Sequence, residues 1–184
     1  MAEEERSFSG GVMQYMKLGV AQREELLASL AGMSEYLGKA FSGLSPEQTR
    51  ARGPDGAFSP VEQVWHLADL EREGFGVRIR RLLSEREPHL PDFDGAKVAA
   101  DRNYRSLSLE QGLAVFTAAR QENISVLRAL DSQAWVLGGT QAGFGKVSLC
   151  DMPSFMSQHD SAHRTEIEQW KIWAADAEDH RGRT

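Results

Sequence analysis

The chain has 184 residues, 41% hydrophobic and 26% charged, enough for one domain with a real core and too few for two. Its 27 acidic against 21 basic side chains give a net charge of −6, with no basic stripe to neutralise a series of phosphates, so nucleic acid is not expected as a partner. No apolar run approaches the roughly eighteen residues of a membrane span, and Cys150, the single cysteine, excludes an internal disulfide and a cysteine-rich zinc finger.

The acidic start Met1-Ala2-Glu3-Glu4-Glu5-Arg6 lacks the basic-then-apolar order of a signal peptide, which points to a cytoplasmic protein. A polar lead over 1–11 precedes one domain over 12–176 and a polar tail over 177–184. Leu26, Leu30, Met33, Leu37 and Phe41 recur at spacings of three and four, predicting an amphipathic helix from about Val20 to Phe41. Pro46, Gly53, Pro54 and Gly56 then mark a loop. Ser59-Pro60-Val61-Glu62 is a helix start, with Ser59 as N-cap, Pro60 at the first helical position and Glu62 placed to return a hydrogen bond. The helix it opens carries His66 and extends to about Ser84.

Residues 85–107 form a long polar connection containing Pro88 and Pro91, in which 96–104 can make a short helix. Ser108-Leu109-Glu110-Gln111 opens a further helix ending near Asp131, and the four glycines between Trp135 and Gly145 predict a turn-rich crossing segment. Ser148-Leu149-Cys150-Asp151 starts the last helix, expected to run to about Ala175. Cys150 reads as a small buried hydrophobe. Four long amphipathic segments without a convincing strand indicate an all-α four-helix bundle.

The chemistry-bearing signal is the histidine spacing. His159 and His163 lie four apart on one helix face, and His66 on a second helix can complete a three-imidazole centre that leaves a position open for water or substrate. Such ligands suit zinc or nickel first, and iron or manganese as well. His159-Asp160-Ser161-Ala162-His163 is not a zinc-peptidase motif, which needs a glutamate directly after the first histidine. Asp160 and Glu166 are the candidate catalytic acids, and Asp69, one turn from His66, can also orient an imidazole. Phe155, Met152 and Trp170 share the histidine face, and Arg120 is expected to reach an acid such as Glu62 or Asp69.

The segments Arg23-Glu24-Glu25-Leu26-Leu27, Phe58-Ser59-Pro60-Val61-Glu62-Gln63-Val64-Trp65-His66-Leu67, Phe116-Thr117-Ala118-Ala119-Arg120 and Gln158-His159-Asp160-Ser161-Ala162-His163, in that order and spacing, resemble the DinB/YfiT-like superfamily of metalloenzymes. The resemblance implies a four-helix bundle, often a homodimer, with a divalent metal on His66, His159 and His163. It also implies relatives that transfer or isomerise groups with low-molecular-weight thiols. Three readings stand at this level: a metal-dependent enzyme acting on a small molecule, as a thiol-dependent transferase or a hydrolase; a non-catalytic metal-binding or stress-associated helical dimer; and a helical interaction protein whose histidines are unrelated.

Overall fold

Each long helix begins where the sequence supplies a cap. A computed structural model of the chain describes residues 14–181; the expected lead over 1–11 and residues 182–184 of the expected tail lie outside the described residues. Helix α1 (Val20–Ala40) buries Leu27, Leu30, Met33 and Leu37, with Leu27 taking the inward place expected of Leu26. Helix α2 (Pro60–Asp69) starts at Ser59, whose backbone N–H donates to Glu62 Oε2 at 3.0 Å. It passes without a break through a π-helical segment, Leu70–Phe75, into α3 (Gly76–Ser84), making one rod. After a short helix α4 (Gly95–Arg102), α5 (Leu109–Arg128) opens on Ser108, whose Oγ accepts from the Gln111 N–H at 3.2 Å. Helix α6 (Met152–Arg181) follows a single turn in which the Ser148 N–H donates to Asp151 Oδ2 at 2.8 Å. It runs past Ala175, the expected end.

Helix α5 packs on α1 and α2, and α6 packs on α1 and α2, giving the four-helix bundle. Its apolar interior is divided across the middle. Leu27 and Leu30 of α1, Phe75, Ile79 and Leu82 of the second rod, Ile124 and Leu127 of α5, and Met152 and Met156 of α6 form one cluster. Met33, Leu37 and Phe41, Val64 and Leu67, Phe116, and Ile167 and Trp170 form the other. In α5 and α6 the residues at the changeover are polar: Arg120 and Asn123, then His159, Asp160 and His163.

The centre of that polar layer is Arg120, 1% exposed. Its Nη1 and Nη2 donate to the two oxygens of Asp160 at 2.6 and 2.9 Å, Nη2 also lies 3.0 Å from Glu71 Oε2, and Nη1 donates to the Leu30 carbonyl at 3.0 Å. Asn123 Nδ2 donates to Glu71 Oε1 at 2.9 Å. Burial drives the Glu71 carboxyl up. Burial also pulls the Arg120 guanidinium down, but the Asp160 hydrogen bond and the Glu71 charge more than reverse it. The expected partners Glu62 and Asp69 are engaged elsewhere: Glu62 by Arg52, and Asp69 by Arg102 and the Tyr104 hydroxyl. The reason is the π segment. The Gly76 N–H donates to the Glu71 carbonyl five residues back, and this wider turn changes the phase of the rod where Glu71 meets Arg120. Gly76 fits because a Cβ there would stand 2.9 Å from that carbonyl oxygen.

A three-stranded sheet corrects the expectation that the glycine-rich crossing is only turns. Strands β2 (Gly138–Gln141) and β3 (Gly145–Ser148) form an antiparallel hairpin, and β1 (His89–Leu90), from the 85–107 connection, pairs parallel to β2 with Leu90 opposite Gln141. The hairpin turn uses Gly143 and Gly145 at φ of +78° and +79°, a conformation glycine adopts without steric cost. The two long connections are thereby tied to each other.

Replacing Arg120 with Met leaves Asp160 and Glu71 buried without their cation. The R120M protein is expected to lose about 3–5 kcal/mol of stability, the range for breaking a buried ion pair from one side, as measured by urea denaturation at pH 7.5. A loss under 1 kcal/mol contradicts this account of the layer.

Candidate metal centre

His66 lies two turns into α2 from the Ser59 cap, and His159 and His163 stand one turn apart on α6. The three imidazoles meet, with a ligating nitrogen from each within 4.8 Å of the others. His159 Nε2 is 3.4 Å from His66 Nε2 and 3.2 Å from His163 Nε2. Three nitrogens each about 2.1 Å from a tetrahedral zinc ion stand about 3.4 Å apart, so the spacing fits one ion of that size. The donor set is nitrogen only, with no thiolate.

The ring of His163 is fixed from behind. Its Nδ1–H donates to Gln63 Oε1 at 2.5 Å and stands 3.2 Å from Glu166 Oε2, while Gln63 Nε2 donates to the same Glu166 oxygen at 2.9 Å. That network leaves Nε2 as the lone-pair nitrogen facing the other two rings. His66 is held by packing instead. Its Nδ1 is buried with no hydrogen-bond partner, and Gly95, at the start of α4, lies so close that a Cβ there would sit 2.4 Å from His66 Cε1. Phe58 and Phe93 flank the same ring, with centroids at 5.7 and 6.1 Å.

Desolvation sets the charge state. Burial, followed by the repulsion of His163, lowers His66 to about 4. Burial with the charges of His163, His66 and Arg120 lowers His159 to about 2. Both rings are therefore neutral and available as ligands well below neutral pH. The hydrogen bond from His163, outweighing burial, lowers Glu166 to about 2, so it is an anion throughout.

His66 and His159 open on a cleft of about 560 Å³, lined on the helical side by Leu70, Phe75, Phe155 and Ala162 and on the loop side by Asp92, Phe93, Gln141 and Phe144. The loop side is the pair of connections that the sheet ties together. Of the acids expected from the sequence, Glu166 touches a histidine. Asp160 does not line the cleft: both of its oxygens are taken by Arg120, on the side of α6 facing α5. Asp69 is likewise turned to Arg102 and Tyr104. Phe155 lines the cleft, whereas Met152 and Trp170 are core residues, and Cys150 is a buried thiol in the core. Gln63 was legible in principle, one turn before His66; Gly95, Phe93 and Gln141 come from the connections and carry no local signal.

Known proteins agree with this architecture. A relative from Geobacillus thermodenitrificans (strain NG80-2), named "Putative metal-dependent hydrolase", is 30% identical over 90 residues, which is 49% of this chain and 50% of that one; the chain thus spans about half the length of this curated relative. YfiT from Bacillus subtilis, described as a probable metal-dependent hydrolase with an unusual four-helix bundle topology, superposes with a TM-score of 0.76 at 18% identity, over 84% of this chain and 89% of that one. A mycothiol-dependent maleylpyruvate isomerase superposes at 0.65 with 11% identity, over 84% of this chain and 62% of the other. Among the described residues no helix is long and apolar enough to cross a membrane. The family model described as the DinB superfamily matches residues 29–167, most of the bundle and all three histidines, and the chain belongs to that superfamily.

Proposed function

We propose that this protein is a divalent-metal-dependent enzyme in which His66, His159 and His163 hold the ion and the adjoining cleft holds a small-molecule substrate. The convergence of three Nε2 atoms from two helices, at 3.2 and 3.4 Å, carries this reading. A divalent ion held there, zinc or nickel by its all-imidazole donors, would supply the Lewis acidity that lowers the pKa of a water or a low-molecular-weight thiol toward neutral. The chain's own residues prepare the place. Gln63 and Glu166 fix the tautomer and plane of His163, Gly95 and the two phenylalanines fix His66, and phenylalanines give the cleft beside them an apolar wall. Glu166, an anion 3.2 Å from Nδ1, is a positioning residue for His163.

The names of the relatives support two reactions of one type, attack on an electrophilic carbon by water or by a small thiol. A cleft walled by phenylalanines favours an apolar electrophile in either case. The resemblance to the superfamily extends the reading to a homodimer, which sedimentation velocity tests.

Metal analysis of untagged protein is expected to find one divalent ion per chain, with His66→Ala and His159→Ala each abolishing it and Gln63→Leu weakening affinity about 10–100-fold, the range for losing an orienting partner. Wild-type protein that neither carries nor takes up zinc or nickel removes the metal reading. Turnover of an activated ester and of a thiol-reactive electrophile, each with and without a panel of small thiols, separates the hydrolase from the transferase.

The depressed values of His66 and His159 fix the pH dependence of metal uptake. Three ordinary imidazoles with pKa near 6.5 would be about nine-tenths protonated at pH 5.5 and would release nearly three protons per ion. Here two of the three rings are already neutral, so calorimetry in buffers of different ionisation enthalpy is expected to show about one proton or fewer released at pH 5.5. The logarithm of the affinity should then fall by no more than about one unit per pH unit. Release of two or more protons contradicts the assigned charge state.

A further inference from the structure

The cleft holds a cation that the metal reading leaves unused. Arg78 lies twelve residues beyond His66 on the same helical rod, is 6% exposed and lines the same cleft. A guanidinium has five N–H donors, yet one hydrogen bond to it is found among the described residues, from Nε to the Pro91 carbonyl at 3.3 Å. The nearest carboxylate, Asp92, stands 3.9 Å from Nη2, beyond hydrogen-bond distance, on a side chain 80% exposed to solvent. The guanidinium rests against the Phe75 ring, 5.8 Å from its centroid. A charge so far removed from water and so weakly matched is costly unless something else completes its partners.

A second buried polar group in the cleft wall is also unmatched. Gln141, 5% exposed on β2, lines the cleft, and its Oε1 is buried with no hydrogen-bond partner. Its Nε2 has no hydrogen-bond partner among the described residues and is not enclosed as Oε1 is, so its two N–H donors are the ones a ligand in the cleft can reach. Beside Asp92, Gln158 and the two histidines, the rest of the wall is apolar, made by Leu70, Phe75, Phe93, Phe144, Phe155 and Ala162. An apolar pocket with a few convergent polar groups is built to orient a ligand.

We propose that the cleft binds a small organic carboxylate with an apolar body, the carboxylate held by Arg78 and Gln141 and the body lying against Phe75, Phe93 and Phe155. A planar carboxylate matches the two-pronged guanidinium geometry and carries the single negative charge that one arginine balances. A phosphate, with close to two charges, would meet one cation and the Asp92 carboxylate beside it. The anchored end fixes which part of the molecule points along the cleft, so the other end is presented to the histidine centre. That last step rests on the metal reading, whereas the Arg78 subsite does not.

The test is calorimetric binding of 4-phenylbutyrate and of its neutral amide, 4-phenylbutanamide, to the protein as purified and after its metal has been removed by chelation. The acid is expected to bind at least tenfold more tightly than the amide in both forms. In Arg78→Met the preference should fall below twofold, and in Arg78→Lys it should be partly kept. Gln141→Glu should weaken the acid more than the amide. Equal binding of the two ligands, no detectable binding of the acid, or a preference that survives Arg78→Met overturns the proposal, as does one that vanishes with the metal, since the carboxylate is then on the ion. If Arg78→Met fails to fold by circular dichroism, Arg78→Lys and Gln141→Glu decide. A protein that takes up no metal but prefers the acid through Arg78 refutes the metal reading and keeps this subsite.

Discussion

A guanidinium held between two carboxylates inside a helical bundle governs the geometry of everything around it. Arg120 joins α5 to α6 through Asp160, to the second rod through Glu71 and to α1 through the Leu30 carbonyl, so one side chain touches all four long elements at one height. Asp160 is adjacent to His159, and successive residues on an α-helix are turned by about 100°. Pinning Asp160 toward α5 therefore turns His159 toward α2 and the cleft, and carries His163, one turn on, with it. A buried ion network of this kind contributes little net stability beside an apolar core of equal volume, because both partners leave water. Its effect here is register: no rotation or slide of α6 keeps both oxygens of Asp160 on Arg120.

The same layer explains why the interior falls into two apolar clusters. A row of imidazoles, an amide and a carboxylate follows α6 and α2 outward from Arg120, each group partnered by the next, from His163 through Gln63 to Glu166. Burial keeps His66 and His159 uncharged, so three rings sit within contact of one another without mutual repulsion. A cluster arranged this way is ordered before any ion arrives, and ordering a site in advance removes the cost of gathering its ligands at the moment of binding.

How far the sequence could be read depended on whether a feature was local. Ser59, Ser108 and Ser148 announce their helices because a cap acts on residues within one turn, and the pairing of His159 with His163 follows from helix geometry alone. His66 joined them through the expectation of a bundle and the likeness to the superfamily. Glu71, the partner of Arg120, is hidden in the sequence because the π segment has no signature in hydrophobic periodicity and Glu71 stands among the charged residues Glu71-Arg72-Glu73, although it is buried in the fold. Asp160 read as a candidate acid because adjacency to a histidine says nothing about the direction a carboxylate takes. The sheet was hidden for a further reason. Strand β1 is two residues long, too short for any alternation, and its partner lies some fifty residues away.

That distance separates two kinds of part in the cleft. The histidines, Gln63 and Glu166 stand on helices locked by the polar layer, where a substitution disturbs packing on several sides. Phe93, Gln141 and Phe144 stand on connections, held by a small sheet whose register depends on backbone pairing rather than on their side chains. Loops on a rigid scaffold tolerate changes of sequence that helices in a core do not. Within one architecture, then, the imidazole cluster can stay fixed while the loop side of the cleft wall varies. Arg78 sits at the boundary between the two. It is rooted in the rod that carries His66 but reaches the loop wall at Pro91 and Asp92, so the orientation of a bound molecule relative to the histidines is set by a helix, and only its outline by the loops.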